Sequence, residues 1–327
     1  MSLTPQSSGA VDLSRRGFIA ATGALAVSGI ASEGSAAPAA APGKAKVYFS
    51  REISAASLRR LYALVNGGLT GKIAVKVHTG EPGGPNILSR DLVKALMEDI
   101  PGGTIVECNV AYGGPRSTNE GHRKTIETNG WTFCPVDILD EEGDVPLPIP
   151  GGKQLKEVAV GKHLLDYDSM LVLTHFKGHP MGGFGGSLKN IAIGCASGKL
   201  GKKQLHSEGD KLWSGGPRFI ERMVEGGQAI TSRFGERITY INVMNRLSVD
   251  CDCMGVRAAE PTAPDIGIVA STDILAVDKA SVDMVYGLSE AHRHALVERF
   301  ESRSGLHQLE YMKELGMGTD SYELIAV

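Results

Sequence analysis

Most of the chain alternates between short apolar runs and longer stretches whose apolar residues recur every three or four positions. Runs of the first kind predict buried β-strands, and the second spacing predicts amphipathic helices. The predicted strands cover residues 46–49, 73–77, 104–108, 169–174, 238–243 and 266–270. The predicted helices cover residues 55–65, 89–100, 118–129, 218–232, 278–286 and 307–315. This alternation predicts an α/β fold with a mostly parallel central sheet and flanking helices.

One stretch interrupts the alternation. Residues 137–152 are acidic and contain several prolines, a composition typical of a surface loop or of a boundary between two lobes. We therefore expect residues 44–327 to form a single α/β domain with two lobes around a cleft.

The N-terminal residues have the pattern of an export signal. Arg15 and Arg16 precede an apolar stretch that runs to Ile30, and small residues follow around Ala39. The apolar stretch is shorter than the roughly 20 residues that span a bilayer, so residues 1–41 are predicted to be a cleavable twin-arginine signal. We expect the twin-arginine translocation machinery as a partner, a periplasmic or extracellular location, and no stable membrane insertion after cleavage. An uncleaved anchor is the alternative.

Charge and composition exclude one class of partner. The formal net charge is −3, aromatic residues make up 6% of the chain, and no basic patch is interleaved with aromatics. These features argue against nucleic-acid binding. The chain contains five cysteines, and an odd number argues against a framework made only of disulfides in an exported protein.

Three polar, glycine-rich segments come directly after predicted strands. They begin at His78, Asn109 and His175. Ligands of open parallel sheets bind outside the carboxyl ends of the strands, so three such segments together predict a shared cleft. For any one segment alone, a simple turn is the alternative.

The third segment carries the most chemistry. His179 precedes a glycine-rich run, and Lys189 follows the run near the start of a predicted helix. We expect His179 to act as an acid or base, and Lys189 to stabilise negative charge or tether a cofactor. Backbone N–H groups of such a run can point at an anion. The expected contacts to an anionic substrate or cofactor are Gly182, Gly183, Gly185, Gly186, Lys189 and Arg116.

Phosphate-loop and dinucleotide motifs do not fit these glycines, so ATP and NAD are not supported by motif.

A Cys-x-Cys pair follows the strand predicted at 238–243. Cys251 and Cys253 place two thiols close together, which suits a transition metal such as iron, nickel or zinc. We expect His206 as a third ligand and His175 or His179 as a fourth. Two free thiols or a strained disulfide are the alternatives. The sequence has no ferredoxin-type cysteine run, so an iron–sulfur centre would depend on Cys251, Cys253 and partners.

Three stretches resemble the domain-of-unknown-function family 362, whose members are often described as iron–sulfur-centre proteins. They are residues 174–198, residues 250–279 starting from Asp-Cys-Asp-Cys-Met-Gly, and residues 307–318. The resemblance covers most of residues 44–327 and implies a shared fold and site. It implies no reaction, because none is established for the family.

The segment from His179 to Lys189 is also similar, more weakly, to the N-terminal domain of the lactate racemase family. In that family a lysine tethers a nickel pincer nucleotide and a downstream histidine ligates nickel. The resemblance places these two roles at Lys189 and His206. Pro115 stands where the family's loop carries a catalytic histidine, so racemisation by a pair of histidines is not implied.

These observations predict an exported metal-binding protein. It would be a metalloenzyme or redox protein that acts on a small anionic substrate, or holds an anionic cofactor, at the loop rich in histidine and glycine. The alternative is a non-catalytic periplasmic protein that binds a metal or a small anion. Whether the protein turns anything over is left open.

Overall fold

A computed structural model describes residues 43–327, so the export signal expected over residues 1–41 lies outside the described residues. The strands are β1 Ala45–Ser50, β2 Ile73–Lys76, β3 Thr104–Glu107, β4 Val136–Ile138, β5 Asp144–Pro148, β6 Glu157–Gly161, β7 Ser169–His175, β8 Lys177–His179, β9 Gly183–Gly185, β10 Ile238–Met244, β11 Gly267–Ser271 and β12 Tyr322–Ala326. The helices are α1 Ala55–Val65, α2 Arg90–Met97, α3 Asn119–Thr128, α4 Ser187–Cys195, α5 Gly201–His206, α6 Pro217–Phe234, α7 Ile274–Tyr286, α8 Glu290–Ser302 and α9 His307–Glu314. All six predicted strands and all six predicted helices are present, with ends that differ by a few residues.

The centre of the fold is an eight-stranded sheet in the order β12-β1-β11-β10-β7-β2-β3-β4. Strand β11 is antiparallel to both of its neighbours, β1 and β10. The other five neighbouring pairs are parallel. The predicted α/β class with a mostly parallel sheet and flanking helices is therefore confirmed.

The central strand β7 is buried along its whole length because helices cover both faces of the sheet. Leu171 and Leu173 join the core under α1 and α2, whereas Val172 joins the core under α4 and α6. Alternate residues of a strand point to opposite faces, so a continuous apolar run suits a strand buried on both sides. Burial on both faces explains why the strands of the sheet could be predicted from apolar runs in the sequence.

Two intervals expected as loops contain strands. The interval 137–152 contributes to β4 and contains β5, which pairs with β6 as a separate two-stranded sheet. Proline is tolerated in such an edge strand because few of its backbone N–H groups are needed for pairing. The segment after β7 folds back as the β8–β9 hairpin.

Residues 43–327 all belong to one compact unit. Within this part of the chain, no helix has the length and apolar character needed to cross a membrane.

Candidate functional site

The site is a pocket of about 260 Å³ at the carboxyl ends of β2, β3 and β7. All three polar segments singled out in the sequence contribute to its wall, the first through His78, the second through Tyr112 and Arg116, and the third through His179 and Lys189. The expectation of one shared cleft at the strand ends is thus confirmed by their common pocket.

Cys251, Cys253 and His179 form a tight cluster, of which Cys253 and His179 line this pocket. Each offers one sulfur or nitrogen atom, and these atoms all lie within 4.8 Å of one another. Cys251 is fully buried at the start of a short 3₁₀ helix, and the backbone N–H of Cys253 donates to its Sγ at 3.4 Å. Cys253 is partly exposed and lines the pocket. This turn therefore buries the thiol of Cys251 and leaves the thiol of Cys253 accessible from the pocket.

The two thiols differ in charge. Hydrogen bonding from the Cys253 thiol, aided by the nearby Lys189 ammonium and His179 and opposed by burial, holds the pKa of Cys251 well below its ordinary value. Hydrogen bonding to Cys251, together with burial, raises the pKa of Cys253. The Nζ of Lys189 lies 3.7 Å from the Sγ of Cys251. The thiolate form is therefore favoured at Cys251 and the thiol form at Cys253.

His179 is a hydrogen-bond donor in this site. Its Nδ1 accepts hydrogen bonds from the backbone N–H groups of Gly182 at 2.9 Å and Met181 at 3.2 Å. Burial and the Lys189 charge lower the pKa of His179 to about 4, so the ring is neutral at pH 7. A neutral imidazole that accepts at Nδ1 carries its proton on Nε2. His179 can therefore donate a hydrogen bond towards the Cys251 sulfur.

His175, expected as a metal ligand, is used elsewhere. Its Nδ1 lies 2.9 Å from the carboxylate of Asp252, and its Nε2 lies 2.8 Å from the carbonyl oxygen of Asn245. Both ring nitrogens thus have protein partners, which corrects the expectation that one of them is free for a metal. The Nζ of Lys177 lies 3.1 Å from the same carboxylate. His175 and Lys177 together fasten the segment between the two cysteines.

His206, expected as the third ligand, lines the same pocket but lies outside the three-residue cluster. Its Nδ1 donates to the carbonyl oxygen of Lys202 at 2.6 Å, and its ring packs against Trp213 and Phe219. Burial lowers the pKa of His206 to about 4. The ring is therefore neutral, with an unprotonated Nε2. The structure does not bring it together with Cys251 and Cys253.

The glycine-rich run has a different role from the one expected. The backbone N–H groups of Ser187 and Leu188, at the start of α4, donate to the carboxylate of Asp278 at 2.8 and 2.9 Å. A Cβ on Gly186 would lie 2.4 Å from Oδ1 of that carboxylate. The helix start is therefore occupied by Asp278, and the expectation that it holds an external anion is corrected.

The other glycines of the run allow close packing of the backbone or form part of the pocket wall. Gly183 has a φ of +79° and lies against Gly305, where a Cβ would come within 2.6 Å. Gly182 sits beside the ring of His179. Gly185 lines the pocket, and a Cβ there would lie 3.3 Å from Lys189 and 3.5 Å from Lys177. Gly185 and Gly186 are the members that border the pocket.

Arg116 reaches the pocket, but its charge is already compensated. It is buried and lies 3.2 Å from Glu81 and 3.3 Å from Glu107. Glu107 also lies 3.3 Å from Lys76 and 3.2 Å from His78. Burial opposes ionisation of Glu107, but the charges of Lys76 and Arg116 outweigh it and hold its pKa well below the ordinary value. This buried network forms one wall of the pocket.

Sequence reasoning missed Lys76, Glu107, Lys177 and Lys202 as pocket residues. Lys76 and Glu107 are the last residues of β2 and β3, where a charged residue ends an apolar run. That position at a strand's carboxyl end is the pattern from which these two could have been found.

The chemistry of the donors decides whether a metal fits. Thiolates are good ligands for zinc, iron and nickel, and the two sulfur atoms of Cys251 and Cys253 are close enough to share one ion. His179 fits less well as a ligand. Its Nδ1 accepts two backbone hydrogen bonds, so the ring proton is on Nε2, and a metal at Nε2 would have to displace that proton. Two thiol ligands are therefore available, and one of them, Cys253, borders the pocket.

The solved structures that are similar to this chain include the following two. One is the lactate racemase apoprotein from Thermoanaerobacterium thermosaccharolyticum, with 12% identity and a TM-score of 0.44, covering 73% of this chain and 56% of that one. The other is a protein from Thermotoga maritima, with 13% identity and a TM-score of 0.39, covering 78% of this chain and 60% of that one. This chain thus spans less than two thirds of either matched chain.

Among curated proteins, none matches this sequence. The family model of the domain of unknown function DUF362 matches residues 73–283, which include β2, β3, β7, β10 and the Cys251–Cys253 pair. That match covers more than half of the chain and the greater part of the pocket. The protein therefore belongs to the domain-of-unknown-function family 362, as its sequence motifs predicted.

Proposed function

We propose that this protein is an exported metal-binding protein in which Cys251 and Cys253 hold a transition metal beside a pocket for a small anion. The two thiols suit iron, nickel or zinc, and the iron could be part of an iron–sulfur centre. The observation that carries the proposal is the convergence of the two sulfur atoms and His179 within 4.8 Å at the pocket wall.

The position of the thiols favours a role in chemistry over a purely structural one. Structural zinc sites have four protein ligands, whereas catalytic sites leave a position open to substrate. Within the described residues, only Cys251, Cys253 and His179 form a group of this kind, and Cys253 borders the pocket. A metal held by these thiols would have open positions towards a bound molecule and could polarise it.

The lining of the pocket supports an anionic ligand. Its cationic side chains outnumber its carboxylates, since Glu107 is the only acidic residue among those that line it. The cationic residues of the lining are Lys76, Arg116, Lys177, Lys189 and Lys202. A cavity with this balance of charge attracts an anion in preference to a neutral or cationic molecule.

In this proposal the roles expected for His179 and Lys189 become narrower. His179 is neutral, carries its proton on Nε2 and accepts at Nδ1. It can therefore donate a hydrogen bond to a bound ligand, but at neutral pH it has no free nitrogen to act as a base and no second titratable proton to act as an acid. Lys189 stabilises negative charge on Cys251 or on a ligand bound beside it. A protein that binds metal and anion without turnover is the alternative, and it would use the same residues.

The test is metal analysis, with an absorption spectrum, on the processed protein purified without oxygen after export by its own signal. We expect stoichiometric metal in the wild type and its loss in the Cys251→Ser/Cys253→Ser double variant. The spectrum distinguishes iron–sulfur, nickel and zinc.

Cys134→Ser is the matched control, because Cys134 is a partly exposed cysteine outside the pocket lining. It should leave the metal content unchanged. A folded wild-type protein without metal would overturn the metal half of the proposal and leave a small-anion binding protein, with the cysteine pair as a structural element.

A further inference from the structure

Two of the five cationic side chains in the pocket are held in buried ion pairs within the protein. The ammonium of Lys76 contacts Glu107 at 3.3 Å, Asn190 at 3.1 Å and the carbonyl oxygen of Val77 at 2.7 Å. An ammonium has three N–H groups, so none is left for a ligand. Arg116 donates to Glu81, Glu107 and His122, and the two carboxylates balance its charge. These two residues belong to the buried ion network of the wall.

Two further cations are matched by a neighbouring group. Lys177 lies 3.1 Å from the carboxylate of Asp252. Lys189 lies 3.7 Å from the sulfur of Cys251. Each has a partner within the protein that can balance its charge.

Lys202 is different from these four. It is only 6% exposed, and its Nζ donates at 2.7 Å to the carbonyl oxygen of Ala196. No carboxylate of the described chain forms an ion pair with it. An ammonium group buried without a carboxylate in contact is costly. Burial lowers the pKa of Lys202, and the nearby charges of Asp140 and Glu107 only partly oppose this effect. The side chain keeps unused N–H donors and lines the pocket.

The surroundings of Lys202 limit the size and polarity of its partner. The cavity measures about 260 Å³, and Val110, Ala111 and Ile193 contribute apolar wall. A ligand that fills such a space has few non-hydrogen atoms and a short apolar part. Lys202 is the one cation of the lining that forms no ion pair and no hydrogen bond to a thiol within the described chain, and a single negative charge would match it.

We propose that Lys202 binds the head group of a small monoanion whose short apolar part contacts Val110, Ala111 and Ile193. This inference rests on the proposed anion pocket and names the ligand class and the anchoring residue. The shared chemistry is one negative charge on a compact head group, either a carboxylate or a sulfonate, joined to a short hydrocarbon chain.

The protein contains its own optical probe for this binding. Trp213 lines the pocket, is 38% exposed, and lies 4.8 Å from the ring of His206 and 6.4 Å from that of Tyr112. The other tryptophan, Trp131, is 1% exposed and outside the lining. A change in fluorescence that disappears in Trp213→Phe therefore reports on the pocket.

The experiment is a fluorescence titration of the full processed protein with propionate, with ethanesulfonate and with uncharged propionamide, at constant ionic strength. We expect the two anions to bind and propionamide not to bind. Lys202→Met should weaken anion binding about tenfold or more, because it removes the cation proposed to contact the head group. Lys203→Met is the control, since the adjacent Lys203 is exposed, and it should bind like the wild type.

Lys202→Gln is a second variant, in case the methionine variant does not fold, and it should show the same loss. Undiminished binding in both folded variants would overturn the role of Lys202 and leave the anion pocket in place. Absence of binding by every probe to the wild type would count against Lys202 and against the anion half of the proposed function alike. Metal content, measured on the same samples, tests the metal half independently and should be unchanged by Lys202→Met.

Discussion

Cys251 and Cys253 have the same side chain but opposite chemistry. The thiol of Cys253 and the ammonium of Lys189 favour the thiolate at Cys251, and that thiolate in turn keeps the proton on Cys253. The sequence shows that two thiols lie close together. It cannot show which one is ionised, because that depends on Lys189 and His179, which are more than 60 residues away along the chain.

At this scale we expect Lys189→Met to raise the pKa of Cys251, because the variant removes a positive charge 3.7 Å from the sulfur. The thiolate should then form at higher pH. Ultraviolet absorbance of the thiolate, followed against pH in metal-free protein and corrected with the Cys251→Ser variant, measures this shift.

Lys199→Met is the matched control, since Lys199 is exposed and outside the pocket lining. It should leave the titration unchanged. If Lys189→Met titrates like the wild type, Lys189 does not stabilise the thiolate.

The start of α4 shows how one element depends on another. Asp278 of α7 accepts hydrogen bonds from the first backbone N–H groups of α4 and from the side chain of Asn242 on β10. These contacts fix α4, and with it Lys189, relative to the sheet. Gly186 is required because the carboxylate lies where a Cβ would be.

We therefore expect Gly186→Ala to displace Asp278 and lower the free energy of unfolding by about 1–3 kcal/mol, the usual cost of leaving buried polar groups unpaired. Thermal and denaturant unfolding measure the loss. Gly113→Ala is the control, because a Cβ on the exposed Gly113 meets nothing within 4 Å. Equal stability of the two variants would contradict this account of Gly186.

The elements that the sequence predicted share a long, regular pattern. Strands β7 and β10 are mostly apolar and buried along their whole length, and the predicted helices have apolar positions at regular spacing. The missed strands β8 and β9 have three residues each and contain glycine, so neither propensity nor periodicity distinguishes them from a loop. The missed pair β5 and β6 includes prolines, which argue against a strand in sequence.

On the scale of the molecule, the parallel sheet explains why the general location of the site was predictable. The three polar segments follow β2, β3 and β7, and the carboxyl ends of these parallel strands lie on the same side of the sheet. The three segments therefore meet at one pocket. The detailed roles were not predictable. His175 and Asp278 take partners from distant parts of the chain, and those partners satisfy groups that sequence alone would assign to a metal or an anion.

The proposed export concerns the whole protein, and the prediction depends on Arg15 and Arg16. We expect the processed wild-type protein in the periplasmic fraction of a host with a twin-arginine pathway. The Arg15→Lys/Arg16→Lys double variant should remain in the cytoplasm at full length. Immunoblotting measures how much of each form reaches the periplasm, and equal amounts would contradict the twin-arginine route. As a control, the wild-type protein should not be exported in a host that lacks the twin-arginine translocase.

Asp252, between the two cysteines, is held by His175 and Lys177 from the neighbouring strands. Its burial opposes ionisation, but these two partners outweigh burial and lower its pKa. The turn that carries the thiols is consequently in place before any ligand arrives, and little chain entropy remains to be lost on binding. Capture of a ligand at this turn should be governed by diffusion and desolvation, as in a preformed receptor, and not by a slow rearrangement of the backbone.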